Sequence, residues 1–438
     1  MRLPVEHPLR RRLAEELHAR PFESIAAPGA ALSVAVLRTG KQQDTLCHDH
    51  LALLDSGTIA WEEGPAHARL NWRGVVVKWE RHNEFYSFTF FAETKAASLG
   101  AAFGLEWLDS LPPGWLEAIP GETIAATHIA LLPCAETPPR VRDVAEAFGG
   151  APLVGNRIAA GAGTVVTDLQ ATDGVTRFVV FDHALNRRRA GRVAQRLIEI
   201  DTYRMMALLS LPMATRRMSE LGSEEAQLAS LMERFRQPRG SDDLLLRELG
   251  DLAARVEHEI ADHGARFAAT RAYAKLVERR LGELREQAVP GLQPLSEFLD
   301  RRFRPAVDSC AAAQARQAQL SERVARAAQL LQTRFELERE RQNQTLLASL
   351  DRRQGLQLRM QETVEGLSVI AMTYYGVGIG AYLLKPMAKA AGIEEGLVTL
   401  VAVPVIGLIV LMNMRRLRRH LARPLASEDA PVEAKRPC

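Results

Sequence analysis

The sequence predicts an α+β cytoplasmic domain, then a long α-helical, coiled-coil-like stalk, then a C-terminal two-helix transmembrane hairpin. Three observations predict it. Residues 1–188 mix helical periodicity with short alternating, β-branched segments. From residue 189 Ala, Leu, Arg, Glu and Gln dominate as far as 366. Two charge-free apolar runs follow, Leu367–Leu384 and Gly396–Met414, and residues 415–438 form a basic tail. At ~1.5 Å per residue each run reaches roughly 27 Å, close to the ~30 Å hydrocarbon thickness of a bilayer.

In chain order, His7–Arg20 reads as an amphipathic helix stopped by Pro21. Leu32–Leu37 is a short buried strand, and His50–Leu54 opens a helix that Gly57 ends. Between Gly74 and Phe91 apolar and polar residues alternate, with Val75, Val77 and Trp79 sharing one face. Tyr86, Phe88 and Phe90 share another, so the RHNE segment between them is a hairpin turn or a bulge in one long strand. Glu122–Leu132 is a further strand. Thr164–Leu169 and Val175–Phe181 pair across Asp173-Gly174, the strongest short turn signal in the chain.

A helix runs from Ala190 to about Leu221, interrupted or kinked near Pro212. The next spans Asp242 to about Val289, with PRGSDD as its start and VPGLQP as its stop. A third begins near Pro294, passes Pro305 and continues into the first apolar run; its Ala306–Gly366 part alone would reach ~90 Å. Leu320, Val324, Ala327, Leu331 and Phe335 make a partial apolar seam on it. A helix so polar beyond that seam requires partners from its own chain or from other copies.

The net charge of +3 gives no case for nucleic-acid binding. Arg415, Arg416, Arg418 and Arg419 after the second run suit anionic lipid headgroups, and with Lys385 and Lys389 alone in the connecting loop they place both flanks inside. The N-terminal segment has no apolar core of signal-peptide length, and Cys47, Cys134, Cys310 and Cys438 form no CxxC pair. A multi-pass inner-membrane protein with both termini cytoplasmic follows as the expectation, with the bilayer and further copies of itself as partners.

Glu80, His82 and Glu84 alternate, so a continuous strand would present all three on one face, as a divalent-cation site or as a polar solvent edge. Cys47-His48-Asp49-His50 packs four possible ligands together, although Asp49 opening a helix serves as well. Arg192, Arg196, Glu199 and Tyr203, with Arg204, line a helical stripe that either docks the helix or senses a ligand. In the first run Gly376 and Gly380 form a small-residue pair, with Gly366 and Thr373 extending that face for helix packing. Ser368, Tyr375 and Tyr382 recur every seven residues, to line a pore or anchor at an interface, and Glu394 and Glu395 would make an outer acidic ring in an oligomer. GxSxG, HExxH, CxxC and phosphate-loop patterns are all missing, so no catalytic signature is present.

Several stretches carry a family resemblance: HPLRRRLAEELHARP, VKWERHNEFYSF, AGRVAQRLIEIDTYRMMALLSLPMA and MQETVEGLSVIAMTYY. Together they resemble the bacterial membrane-anchored family catalogued as domain of unknown function 3422, which implies an anchor and no established activity. The architecture is also distantly similar to the CorA-type divalent-cation channels, implying a homo-oligomeric conduit. The Gly-Met-Asn signature of that family is replaced here by GIGAYLLKP. The function expected is thus an oligomeric scaffold or sensor whose head binds a partner or small ligand, with the cation channel as alternative.

Overall fold

Alternation of apolar and polar residues builds a mixed β-sheet in the computed structural model. The structure describes residues 6–10, 22–54, 66–95, 98–134, 140–237, 242–390 and 395–421. Among these, the nine strands are β1 (Gly29–Leu37), β2 (His67–Trp72), β3 (Val75–Arg81), β4 (Phe85–Glu93), β5 (Thr123–Pro133), β6 (Val154–Ile158), β7 (Gly163–Thr172), β8 (Val175–Asp182) and β9 (Gln287–Ala288). Their order is β2-β3-β4-β1-β5-β8-β7-β6-β9. Only β5 and β8 run parallel; every other neighbouring pair is antiparallel.

Turn chemistry fixes two of the hairpins. Asp173 and Gly174 both take positive φ, 52° and 80°, the conformation a two-residue primed turn requires. Arg73 and Gly74 do the same between β2 and β3, at 49° and 93°. RHNE is a hairpin turn rather than a bulge, because β3 and β4 pair with Arg81 opposite Tyr86.

Two short helices, α1 (Lys41–Ala52) and α2 (Val141–Ala147), cover one face of the sheet. Under α1 the odd positions of β3 and even positions of β4 form an aromatic core, with Trp79, Tyr86, Phe88 and Phe90 fully buried beside Trp115. α2 closes a smaller cluster around Phe148, Val179 and Phe181. The other face is covered by α3 (Arg187–Leu208), whose Asn186 N-cap side chain accepts from the Arg189 amide. Leu197, Ile200 and Met206 of α3 pack with Ile129, Val165 and Phe178, each large side chain contributing ~1.5–3 kcal/mol by leaving water.

α4 (Leu211–Arg236) follows after a break at 209–210, with Pro212 in its first turn where a missing amide proton costs nothing. Next come α5 (Asp242–Leu284), α6 (Leu295–Arg302) and α7 (Arg304–Ala390). Leu221 and Leu228 of α4, Leu249, Leu252 and Val256 of α5, and Leu320, Val324 and Leu331 of α7 bury one another as a three-helix core. The expected seam on α7 is thus filled from the same chain through Leu331, while Phe335 is exposed. Residues 1–331, sheet and helices alike, form one compact unit, and residues 332–438 a second.

The predicted fold class needs correction on two points. The α+β part does not carry a separate stalk: a nine-stranded mixed sheet forms, β9 comes from beyond α5, and α3 and α5 lie in the same core as the strands. The transmembrane hairpin is overturned as well. The second unit does contain helices where it was expected, the later part of α7 and α8 (Glu395–Leu421). Yet among the described residues no helix is long and apolar enough to cross a membrane. The inner-membrane, multi-pass localisation and the membrane-anchored character rested on that hairpin and are corrected with it. Within the second unit, a Cβ on Gly376 would lie 2.9 Å from Ile406 Cγ2 of α8, and one on Gly380 3.2 Å from Ile406 Cδ1. The helices therefore approach across glycine.

Smaller differences have local causes. α1 ends near where a helix was expected to begin, because Asp44 rather than Asp49 occupies its first turn. The expected helix at 7–20 lies largely outside the described residues.

Candidate functional site

The face of the sheet beneath α3 is not uniformly apolar. Strand register places Val76, Phe91, Ala31, Ile129 and Phe178 in one transverse row, which is apolar throughout. The next row on the same face reads Lys78, Thr89, Ser33, Thr127 and Thr176, polar at every strand and buried at each. A third begins Glu80, Ser87. Ser33 and Thr89 hydroxyls bond at 3.0 Å, and Lys78 Nζ pairs with Glu80 Oε1 at 3.1 Å with both side chains nearly out of solvent.

α3 answers this row with polar groups of its own. Thr127 donates to Asp201 Oδ2 at 2.6 Å, and Arg204 donates from Nε to Asp201 Oδ1 at 2.7 Å, which seats the middle of the helix on β5. On a neighbouring face of the helix, Gln195, Glu199 and Thr202 stand opposite β3 and β4. Between the two walls is a small, partly open pocket with a cavity volume of about 40 Å³, lined by Lys78, Glu80, Ser87, Glu199 and Thr202 among others. Phe85, Phe91 and Tyr203 supply its apolar sides, and Glu23 stands at its edge in an ion pair with Arg69 at 2.7 Å.

The helix wall is tied to α5. Glu199 accepts from Gln195 Nε2 at 2.8 Å and from Arg280, which also pairs with Glu283 at 3.0 Å. Arg196 meets Glu283 from the α3 side at 3.0 Å. Burial raises the Glu199 carboxyl above its ordinary range; Arg280 opposes this, and the charge of Glu80 across the pocket adds to it. Among the described residues three carboxylates (Glu23, Glu80 and Glu199) and one ammonium thus line a cavity with hydroxyls and aromatic rings around them, a composition typical of sites that orient a small ligand.

The three residues expected to hold a cation go separate ways. Glu80 pairs with Lys78, Glu84 pairs with Arg266 of α5 at 2.9 Å, and the His82 ring stacks on Phe85 at 4.1 Å. Glu80 and His82 line the pocket and Glu84 does not. Among the described residues no group of three or more His, Cys, Asp or Glu is placed to hold a metal. The Cys47–His50 tetrapeptide turns into the core: Cys47 is fully buried and its thiol is pushed up to about 12 by burial. His48 meets Trp79 edge-on at 5.1 Å, and His50 stacks on Trp115 at 4.1 Å.

The α3 stripe divides in function. Arg192 lies over the Phe22 ring, Arg196 and Arg204 make ion pairs, and Glu199 and Tyr203 reach the pocket. In the second unit Ser368 Oγ bonds back to Val364 O at 2.8 Å, Tyr375 and Tyr382 are exposed, and Thr373 lies near Gly407. Arg415 and Arg416 are exposed; Glu394 and the side chains of Glu395, Arg418 and Arg419 lie outside the described residues. Sequence reasoning missed Lys78, Ser87, Thr89 and Thr202. The available signal was Lys78 itself, a lone ammonium inside the otherwise apolar VVVKW strand.

Fold and site define a class: a mixed sheet under long helices, with a two-walled polar pocket at the sheet–helix layer. The chain belongs to the family described as protein of unknown function (DUF3422), which it matches over residues 5–421. Comparison with curated proteins and with solved structures finds no match, so the CorA-type likeness has no support.

Proposed function

We propose that the first unit is a ligand-binding module of the sensor type, holding one small polar molecule between β3–β4 and α3. The observation that carries this reading is the Lys78–Glu80 pair, nearly out of solvent yet lining an open pocket opposite Glu199. A buried ion pair adds little net stability over apolar residues of the same size, so its presence beside a cavity favours recognition over packing. The ring of Ser87, Thr89 and Thr202 hydroxyls supports the same conclusion, because each can donate or accept toward an occupant. The reading is tested by saturation-transfer NMR of a small polar fragment set on the full chain. Gln195→Trp, at a half-buried position lining the pocket, should abolish the signals of those fragments that bind there. A fragment set whose binding is indifferent to this variant would refute the proposal.

A further inference from the structure

Resting on that reading, we infer that the pocket takes a zwitterion of amino-acid type, its ammonium held between Glu80 and Glu199 and its carboxylate by Lys78 with the adjacent hydroxyls. The charges are distributed over two walls. The sheet wall holds Lys78, the one ammonium among the described lining residues, in register with Thr89, and beside them the Glu80–Ser87 pair. The helix wall is acidic, through Glu199, with Gln195 and Thr202 at neighbouring turns.

A purely anionic ligand would meet Glu80 and Glu199, and a purely cationic one would meet Lys78. A neutral ligand would leave the repulsion between the two carboxylates unrelieved, and that repulsion is what places Glu80 among the causes of the raised Glu199 carboxyl. An ammonium between them removes it. The carboxylate of the same molecule then accepts charge-assisted hydrogen bonds from Lys78 and from Ser87 or Thr89, the stronger kind in a partly desolvated site. Arg280 and Arg69 do not line the cavity; they hold Glu199 and Glu23 from behind. The small volume favours a ligand with a short side chain.

Three matched probes separate the possibilities on the full-length protein: alanine, ethylammonium, which lacks the carboxylate, and propionate, which lacks the ammonium. Isothermal titration or saturation-transfer NMR should find alanine at least about tenfold tighter than either, the effect of losing one charge-assisted contact in such a site. Lys78→Met should weaken alanine without weakening ethylammonium, whereas Glu199→Gln should weaken alanine without weakening propionate. The wild-type comparison stands even if a variant fails to fold. A preference for alanine below tenfold, or none, overturns the inference. If other polar fragments still bind in a manner sensitive to Gln195→Trp, only the zwitterion falls; if none does, the pocket reading falls with it.

Discussion

Asp201 is the residue on which the helix wall of the pocket depends, and removing it should be costly. Its side chain is 1% exposed, and its two oxygens receive Thr127 Oγ1 at 2.6 Å and Arg204 Nε at 2.7 Å. In Asp201→Ala the Thr127 hydroxyl loses its acceptor in a site without solvent. Arg204, whose side chain is 13% exposed, keeps only longer contacts to Leu169 O at 3.4 Å and Thr176 Oγ1 at 3.3 Å. Breaking a buried pair in this way costs about 3–5 kcal/mol, a large part of a typical domain's stability. Asp201→Asn keeps an acceptor for one partner and should cost roughly half as much. All five tryptophans lie between residues 61 and 115, so their fluorescence follows the sheet unit during urea unfolding. With a slope of ~3 kcal/mol/M the midpoint should fall by about 1 M or more for the alanine variant. A shift under about 0.3 M would refute the claim that this contact seats α3.

Gly191 lies where the backbone of Glu23 crosses α3, and a Cβ there would be 1.6 Å from the Glu23 carbonyl oxygen. Gly191→Ala should therefore displace the segment around Glu23, read as new proteolytic cleavage near residue 23 and weaker fragment binding. His128 is 2% exposed, its Nε2 has no hydrogen-bond partner, and burial together with Arg177 pushes its pKa down to about 4. The unfolded chain protonates near 6.5, so stability should fall as pH drops from about 6.5 toward 4, by on the order of 3 kcal/mol. His128→Leu should flatten that slope in urea titrations; an unchanged slope would exclude His128 as its source. Asp44 is held at about 2 first by its hydrogen bonds to Arg38, with further help from Tyr86. Its contribution is present above about pH 3.9 and lost as pH falls toward 2, so Asp44→Asn should destabilise at pH 7 and matter little at pH 2. Leu252→Ala, at a fully buried position of the three-helix core, should cost about 2–5 kcal/mol by thermal unfolding.

What could be read from the sequence was set by local signals. The Asp173-Gly174 turn, the two-faced alternation of Val75–Trp79 and Tyr86–Phe90, and the helix break at Pro212 are each determined within a few residues, and each recurs in the structure. β2, β6 and β9 were not legible. β2 depends on an Arg73-Gly74 turn whose arginine is unusual at positive φ, and β9 has two residues that pair only because α5 delivers them to β6. The site was half legible. Alternation put Glu80 and His82 on one face, and helical spacing picked out Glu199 and Tyr203. The union of the two needed the register that aligns Lys78 with Thr89, and the fold that lays α3 over them. The membrane expectation came from composition of the two C-terminal runs, and it did not survive because no helix among the described residues is long and apolar enough to cross a membrane.

The central claim is that a ligand occupies the space between β3–β4 and α3. Hydrogen-exchange mass spectrometry of the full chain, with and without whichever fragment gives the strongest binding signal, tests it most directly. Protection should increase in peptides covering 75–91 and 195–203 and remain unchanged in the three-helix core at 245–256. Binding accompanied by protection elsewhere, with these two segments unaffected, would contradict the account.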